Sequence, residues 1–221
     1  MSQKVNNRWL LPDGIDEVLP PDAASVEQLR QQLLSLYDSW GYDLVMPAMI
    51  EFTDSLLTGT ANSLDRKTFR MMDQLTGRQM GLRSDMTPQV ARIDAHQLAN
   101  TGTSRFCYCG PLVHAQTDGL NPSRSPLQIG AEIFGNNSID ADIEVVCLML
   151  ETLKSIPLNN VSLDLGHVGI FRSLFKQSSL DKALENPLFD MLQRKSIPEL
   201  KAFLDEQTLS DISRNQFCQL A

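Results

Sequence analysis

The sequence is poor in cysteine, histidine and aromatic residues. Four cysteines and three histidines in 221 residues offer no spacing of the kind that builds a metal site. Cys107 and Cys109 stand two apart on one face of an apparent strand, where small apolar core residues belong. No apolar run approaches the roughly twenty residues that cross a bilayer, and the opening "MSQKVNNRWLLPDG" has no hydrophobic signal segment, so the expected location is the cytoplasm. Basic residues are outnumbered, 19 Lys and Arg against 27 Asp and Glu, a formal charge of −8. A nucleic-acid backbone asks for a basic footprint, so neither nucleic acid nor membrane is expected as a partner. No glycine-rich phosphate loop lies near Arg78, Arg83 or Arg105, which are expected to be solvated or paired with acids. Internal repeats and low-complexity tracts are also missing.

What remains is a globular composition, 42% hydrophobic and 21% charged, in a chain long enough for one large domain or a domain with an appendage. Val26, Leu29, Leu33, Leu36 and Trp40 recur at helical spacing and predict a helix over about 22–40, stopped by Gly41. "YDLVMPAMIEF" is extended, and Pro47 removes a ladder donor, which makes it an edge or interface strand. "TFRMMDQLTGRQMGLR" predicts a hairpin around "QLTG". A helix starts near Pro88, with Val90, Ile93 and Leu98 inward. Strands follow at "RFCYCGPLVHA" and "PLQIGAEIFG". "SIDADIEVVCLMLETLKSI" is a helix with Asp140, Asp142 and Glu144 at its positive end, Lys154 at its negative end, and Ile143, Val146, Leu150 and Leu153 as its core stripe. "NNVSLDLGHVGIFRSLF" predicts strand, turn and helix, and the chain is helical from about Ser178. Short turns between the strands imply an α+β fold, an antiparallel sheet flanked by helices.

One strand carries residues out of place. In "SPLQIGAEIFG", Leu127, Ile129, Ala131 and Ile133 share one face, and Gln128, Gly130, Glu132 and Phe134 the other. If the second face also looks into protein, an amide and a carboxylate need partners there, because unpaired buried polar groups cost several kcal/mol. They stand roughly 13 Å apart along the strand, with Gly130 leaving space between them for a small zwitterion. Alternatively they contact a neighbouring helix or sit at a wet sheet edge. A second polar cluster, "LRSDMTP", places Arg83, Asp85 and Thr87 where a strand ends and a helix begins, a position suited to ligand contacts or simply to capping the helix.

Taken together these stretches resemble the catalytic core of class II histidyl-tRNA synthetases, from about Leu11 to Phe175. "GYDLVMPAMIEF" is similar to their first motif, with Pro47 as the proline of a two-fold interface. "LRSDMT" is similar to Leu-Arg-Pro-Glu-Gly-Thr, and "GPLVHAQ…LQIGAEIFG" to the second motif and the histidine-binding strand. The resemblance implies a class II synthetase-like core over 1–177, and a histidine pocket lined by Asp85, Thr87, Arg124, Gln128 and Glu132. It also implies a homodimer.

The departures point elsewhere. His114 stands where the synthetase arginine grips phosphate and carboxylate, and a neutral imidazole does not replace a charged bidentate fork. Gln116 replaces an acid, and Asp85 is one methylene shorter than the family's Glu. The resemblance stops before the third motif, and residues 178–221 look like the start of an inserted helical domain cut off in mid-course. A histidine-like pocket with a broken adenylation site resembles the regulatory subunits of ATP phosphoribosyltransferase. That family implies no catalysis and no cofactor. It implies instead a short-form catalytic subunit as partner, which is activated in the first step of histidine biosynthesis, and L-histidine as the feedback ligand. An authentic histidyl-tRNA synthetase is the alternative. A synthetase-like domain with an unrelated interaction role is a third.

Overall fold

The computed structural model describes residues 10–58, 62–99, 101–117, 122–156, 158 and 160–220. They fall into two compact units, Met1–Asn159 and Asn160–Ala221. Helix α1, Asp22–Ser39, opens the first. Gly41 ends it at φ +80°, a left-handed conformation that glycine adopts without strain. Pro47 then divides the extended run into two short strands, β1 (Asp43–Leu44) and β2 (Ile50–Phe52). Each is at the edge of a different sheet, as a residue without an amide donor requires.

After two short helices, α2 (Thr53–Leu56) and α3 (Asn62–Lys67), the expected hairpin forms. β3 (Arg70–Met72) pairs antiparallel with β4 (Gln79–Leu82), and β4 pairs antiparallel with β2. Helix α4, Thr87–Arg92, has its proline in the first turn and runs into a π-helical stretch, Ile93–Leu98. The wider turn rotates the side chains beyond it about the helix axis. Val90 is fully buried as expected, whereas Leu98 is 48% exposed rather than inward.

β5 (Ser104–Pro111) and β6 (Leu127–Phe134) make the long antiparallel ladder of the other sheet, and β1 joins β5 in parallel. That parallel pair departs from the all-antiparallel expectation, because the chain between β1 and β5 first builds the second sheet and α4. β6, at the edge of this sheet, is only half-buried, while β5 packs against core on both faces. On one, Tyr37, Tyr42, Cys107 and Leu148 form a core with Ile129, Ala131 and Ile133 against it. On the other, Met86, Val90, Phe106, Tyr108 and Leu112 pack with Phe134. Cys107 is the small apolar core residue expected.

Helix α5, Ile139–Lys154, closes this unit. Its buried face is Ala141, Leu148 and Thr152, not the expected stripe, and Ile143 is 53% exposed. Polar residues on the inner face explain the difference. Thr152 Oγ1 donates to the Leu148 carbonyl at 2.8 Å and lies 3.2 Å from the Tyr37 hydroxyl, and Glu144 accepts from Arg105 Nε at 2.6 Å and from the Tyr42 hydroxyl at 3.0 Å.

Residues 160–167 carry no ladder in this structure. The strand expected there lacks a hydrogen-bonding partner among the described residues, and Val161, Leu163 and Leu165 are 45%, 40% and 76% exposed. The rest of the second unit is helical as expected: α6 (Val168–Ser178), a 3-10 turn at Lys182–Leu184, α7 (Glu185–Gln193), α8 (Ile197–Asp205) and α9 (Asp211–Gln219). Phe171, Phe175, Leu188, Leu200, Leu204 and Phe217 form its core. For that reason the unit boundary lies at 159/160, upstream of the 177/178 division read from the sequence.

Candidate functional site

Gln128 and Glu132 are half-buried on β6, the edge strand of its sheet, and both find partners within the protein. Gln128 spans the junction ahead of α4. Its Oε1 accepts from the Met86 amide and its Nε2 donates to Asp85 Oδ1, both at 3.0 Å. The same Oδ1 accepts from the Thr87 amide at 3.0 Å. Asp85 therefore closes a local turn just ahead of α4, whose cap position is taken by Met86, and is also held by Gln128.

Glu132 is tied to the same junction from the other end. The Tyr108 hydroxyl donates to Glu132 Oε1 at 3.0 Å and lies 3.0 Å from Thr87 Oγ1. Four of the five residues singled out from the sequence, Asp85, Thr87, Gln128 and Glu132, thus belong to one hydrogen-bonded cluster. Its centre is Tyr108, which sequence reasoning missed. Tyr108 stands opposite Gly130 in the β5–β6 register. A Cβ on Gly130 would lie 2.5 Å from Tyr108 Cζ and 2.7 Å from Cε2. The space over Gly130 is therefore filled by the tyrosine ring, and not left open for a ligand as the strand alone suggested. The alternation in "RFCYCG" does put Tyr108 on the face opposite the two cysteines; the register with Gly130 is what the sequence did not display. Burial raises the Tyr108 hydroxyl pKa above its ordinary value, chiefly by desolvation.

Arg124, the fifth residue, is engaged elsewhere. Its guanidinium donates to the carbonyls of His114 and Asp13, each at 3.0 Å, and stands over the Phe69 ring. It lines a cavity of about 500 Å³ with Asp13, Gly14, Ala115, Gln116, Thr117 and Pro122. His114 is occupied as well. Its Nε2 lies 3.0 Å from the Ser84 carbonyl, and a carbonyl only accepts, so this nitrogen carries the proton. The remaining arginines are scattered. Arg105 is bidentate on Glu144, and Arg78 lies over Phe52 and 3.8 Å from Asp54. Arg83 is neither solvated nor acid-paired: it is buried against two carbonyls. Among the described residues no group of three or more His, Cys, Asp and Glu stands close enough to hold a metal ion, and no helix is long and apolar enough to cross a membrane.

A family model described as "Histidyl-tRNA synthetase" matches residues 14–221. The chain belongs to the histidyl-tRNA synthetase family. Within it, the chain is 56% identical over 200 residues to an ATP phosphoribosyltransferase regulatory subunit of Thioalkalivibrio sulfidiphilus, covering 90% of this chain and 51% of that protein. It is 52% identical over 204 residues to the protein of the same description from Alkalilimnicola ehrlichii, covering 92% and 51%. The chain spans about half the length of the curated relatives it matches. Among solved structures, an ATP phosphoribosyltransferase regulatory subunit/histidyl-tRNA synthetase from Bacillus halodurans superimposes with a TM-score of 0.87 at 26% identity, over 99% of this chain and 56% of that one. A histidine–tRNA ligase subunit from Alicyclobacillus acidocaldarius shares the fold, with a TM-score of 0.74 at 22% identity over 91% and 58%. The α+β, class II synthetase-like architecture expected from the motifs is the fold of this family.

Proposed function

We propose that the protein is a non-catalytic regulatory subunit of ATP phosphoribosyltransferase. In this reading it activates a short-form catalytic subunit in the cytoplasm and confers feedback inhibition by L-histidine on the first step of histidine biosynthesis. The observation that carries the proposal is the joined cluster of Asp85, Gln128, Thr87 and Glu132, in a chain whose relatives at 52–56% identity bear that description. Two carboxylates, an amide and a hydroxyl at one strand–helix junction suit a small ligand with a cationic amino group and hydrogen-bonding ends. Adenylation is not proposed. His114 has one ring nitrogen committed to the Ser84 carbonyl, and it offers phosphate neither a permanent charge nor a bidentate fork.

Histidine bound here acts on a distant active site only through a coupling free energy, typically about 1–3 kcal/mol, so it must favour one arrangement of the complex over another. Homodimerisation through α1 and the Pro47 segment is part of the proposal. In its favour, Leu44, Met46 and Ile50 are 46%, 80% and 43% exposed beside buried Pro47, an apolar strip of the kind a two-fold contact covers.

The test is co-expression with a tagged short-form catalytic subunit, followed by phosphoribosyl transfer with and without histidine. Co-purification, stimulated turnover and histidine-dependent loss of it are the expected results. Failure to co-purify and to stimulate would end the proposal. The matching family model favours one second reading, an adenylating synthetase. Histidine-dependent exchange of pyrophosphate into ATP would establish that instead.

A further inference from the structure

We infer that Tyr108 is the positioning residue that sets the polarity of this site, turning Thr87 into an acceptor beside the carboxylates of Asp85 and Glu132 and thereby selecting a ligand with a protonated amine. The inference rests on the histidine-binding reading above and adds to it a residue that the reading did not contain.

The direction of each hydrogen bond is dictated by the groups present. A carboxylate only accepts, so the proton between Tyr108 and Glu132 Oε1 belongs to Tyr108. A phenol has one proton, and it is now spent. The 3.0 Å contact between Thr87 Oγ1 and the Tyr108 hydroxyl must therefore use the threonine proton. Thr87, exposed at the start of α4, is left with lone pairs alone. Asp85 repeats the pattern, since its Oδ1 already accepts from Gln128 Nε2 and from the Thr87 amide. The amide of Gln128 is fixed in orientation by the Met86 N–H on its oxygen. What Asp85, Thr87 and Glu132 turn toward a ligand consists of acceptors. An ammonium group, with three N–H donors and no lone pair, satisfies such a set. A hydroxyl in its place brings one donor, and its lone pairs face other lone pairs.

Tyr108 can hold this position only because β6 has a glycine opposite it. The ring is 3% exposed, and a methyl group on Gly130 would overlap it. The glycine is thus explained as the seat of the tyrosine.

The test compares L-histidine with 3-(imidazol-4-yl)lactate, which carries a hydroxyl in place of the amine, by calorimetry on the full chain and its Tyr108→Phe variant. Phenylalanine keeps the ring over Gly130 and removes the hydroxyl, which frees the Thr87 proton. In the native protein histidine is expected to be strongly preferred. In Tyr108→Phe, histidine affinity should fall roughly tenfold or more, on the scale of a lost hydrogen bond to a charged group. The ratio of the two affinities should shrink with it, because Thr87 can now donate to the lactate hydroxyl. Gly130→Ala, which displaces ring and hydroxyl together, should shrink the ratio in the same direction. A merely structural tyrosine would lower both affinities in step, and an unchanged ratio in a folded Tyr108→Phe protein overturns the inference while leaving histidine binding intact. If the native protein binds neither compound, the histidine reading itself fails and the inference falls with it.

Discussion

Arg83 Nη1 donates to the carbonyl of Pro47 over 2.7 Å, in a contact closed to solvent. Its Nε donates to the Pro111 carbonyl at 2.9 Å. One side chain at the end of β4 therefore ties the linker between β1 and β2 to the end of β5, joining the two sheets. No carboxylate pairs with it in these contacts, and burial lowers its pKa from the usual guanidinium value. Gly110 makes room for it, since a Cβ there would lie 2.7 Å from Arg83 Nη2. Lysine has one nitrogen and reaches one of the two carbonyls. Arg83→Lys is expected to destabilise the protein by about 1–3 kcal/mol, the range for a buried acceptor left unpaired. Urea unfolding measures this, and an unchanged midpoint and slope would show that the tie contributes nothing.

Glu132→Gln keeps the shape of the side chain and deletes its charge. Histidine binding is expected to weaken by about 2–3 kcal/mol, on the scale of a charge-assisted hydrogen bond. Activation of the catalytic partner should survive, because activation needs assembly and inhibition needs the ligand. Histidine titration of the reconstituted complex decides the matter: unchanged inhibition with a folded variant would reduce Glu132 to a structural residue.

The Arg105–Glu144 pair makes stability depend on acid. Hydrogen bonding from Arg105, with a smaller contribution from Tyr42, holds the Glu144 carboxyl below its usual range. A carboxylate depressed in the folded state stabilises above its unfolded pKa, about 4.3, and loses that contribution as pH falls through the lower folded value. Both side chains are partly exposed, at 33% and 24%, so the effect at neutral pH is about 1 kcal/mol or less. Glu144→Gln should be less stable than the native protein at pH 7, and the two should converge well below pH 4. Thermal midpoints across pH test this; a gap that stays constant down to acid would contradict it.

The cysteines should separate by reactivity. Burial pushes the Cys107 thiol up to about 11, and it lies in the core beside Tyr37 and Leu148. Cys147 is exposed on α5. Since the thiolate is the reacting species, iodoacetamide at pH 8 should label Cys147 in the folded protein and leave Cys107 unmodified until the chain unfolds. Equal labelling of the two, read by mass spectrometry, would refute the buried placement.

Much of this molecule was determined locally. The extent of α1, the "QLTG" turn, the proline opening α4 and the alternation of β6 each reside in a few consecutive residues, although Val26 of the expected α1 stripe is exposed and Tyr37, outside it, is buried. Their periodicity reports the backbone directly. The polar pair in an otherwise apolar strand also marked the site, because amides and carboxylates withdrawn even partly from water seek partners. The tertiary structure decided what those partners are. Glu144 and Thr152 turned the polar side of α5 inward by finding Arg105, Tyr42 and Tyr37, so Ile143 lies outward and Val146, Leu150 and Leu153 are only half-buried. The π-helical turn carried Leu98 to the surface. Residues 160–167 have strand alternation and no ladder, since a strand forms only against another. Tyr108 reached the centre of the site through a register that sets it across from Gly130, 22 residues further along a different strand. A short window of sequence specifies which face a side chain occupies; which atom it meets there depends on chain far away, and that meeting fixes the chemistry of the site.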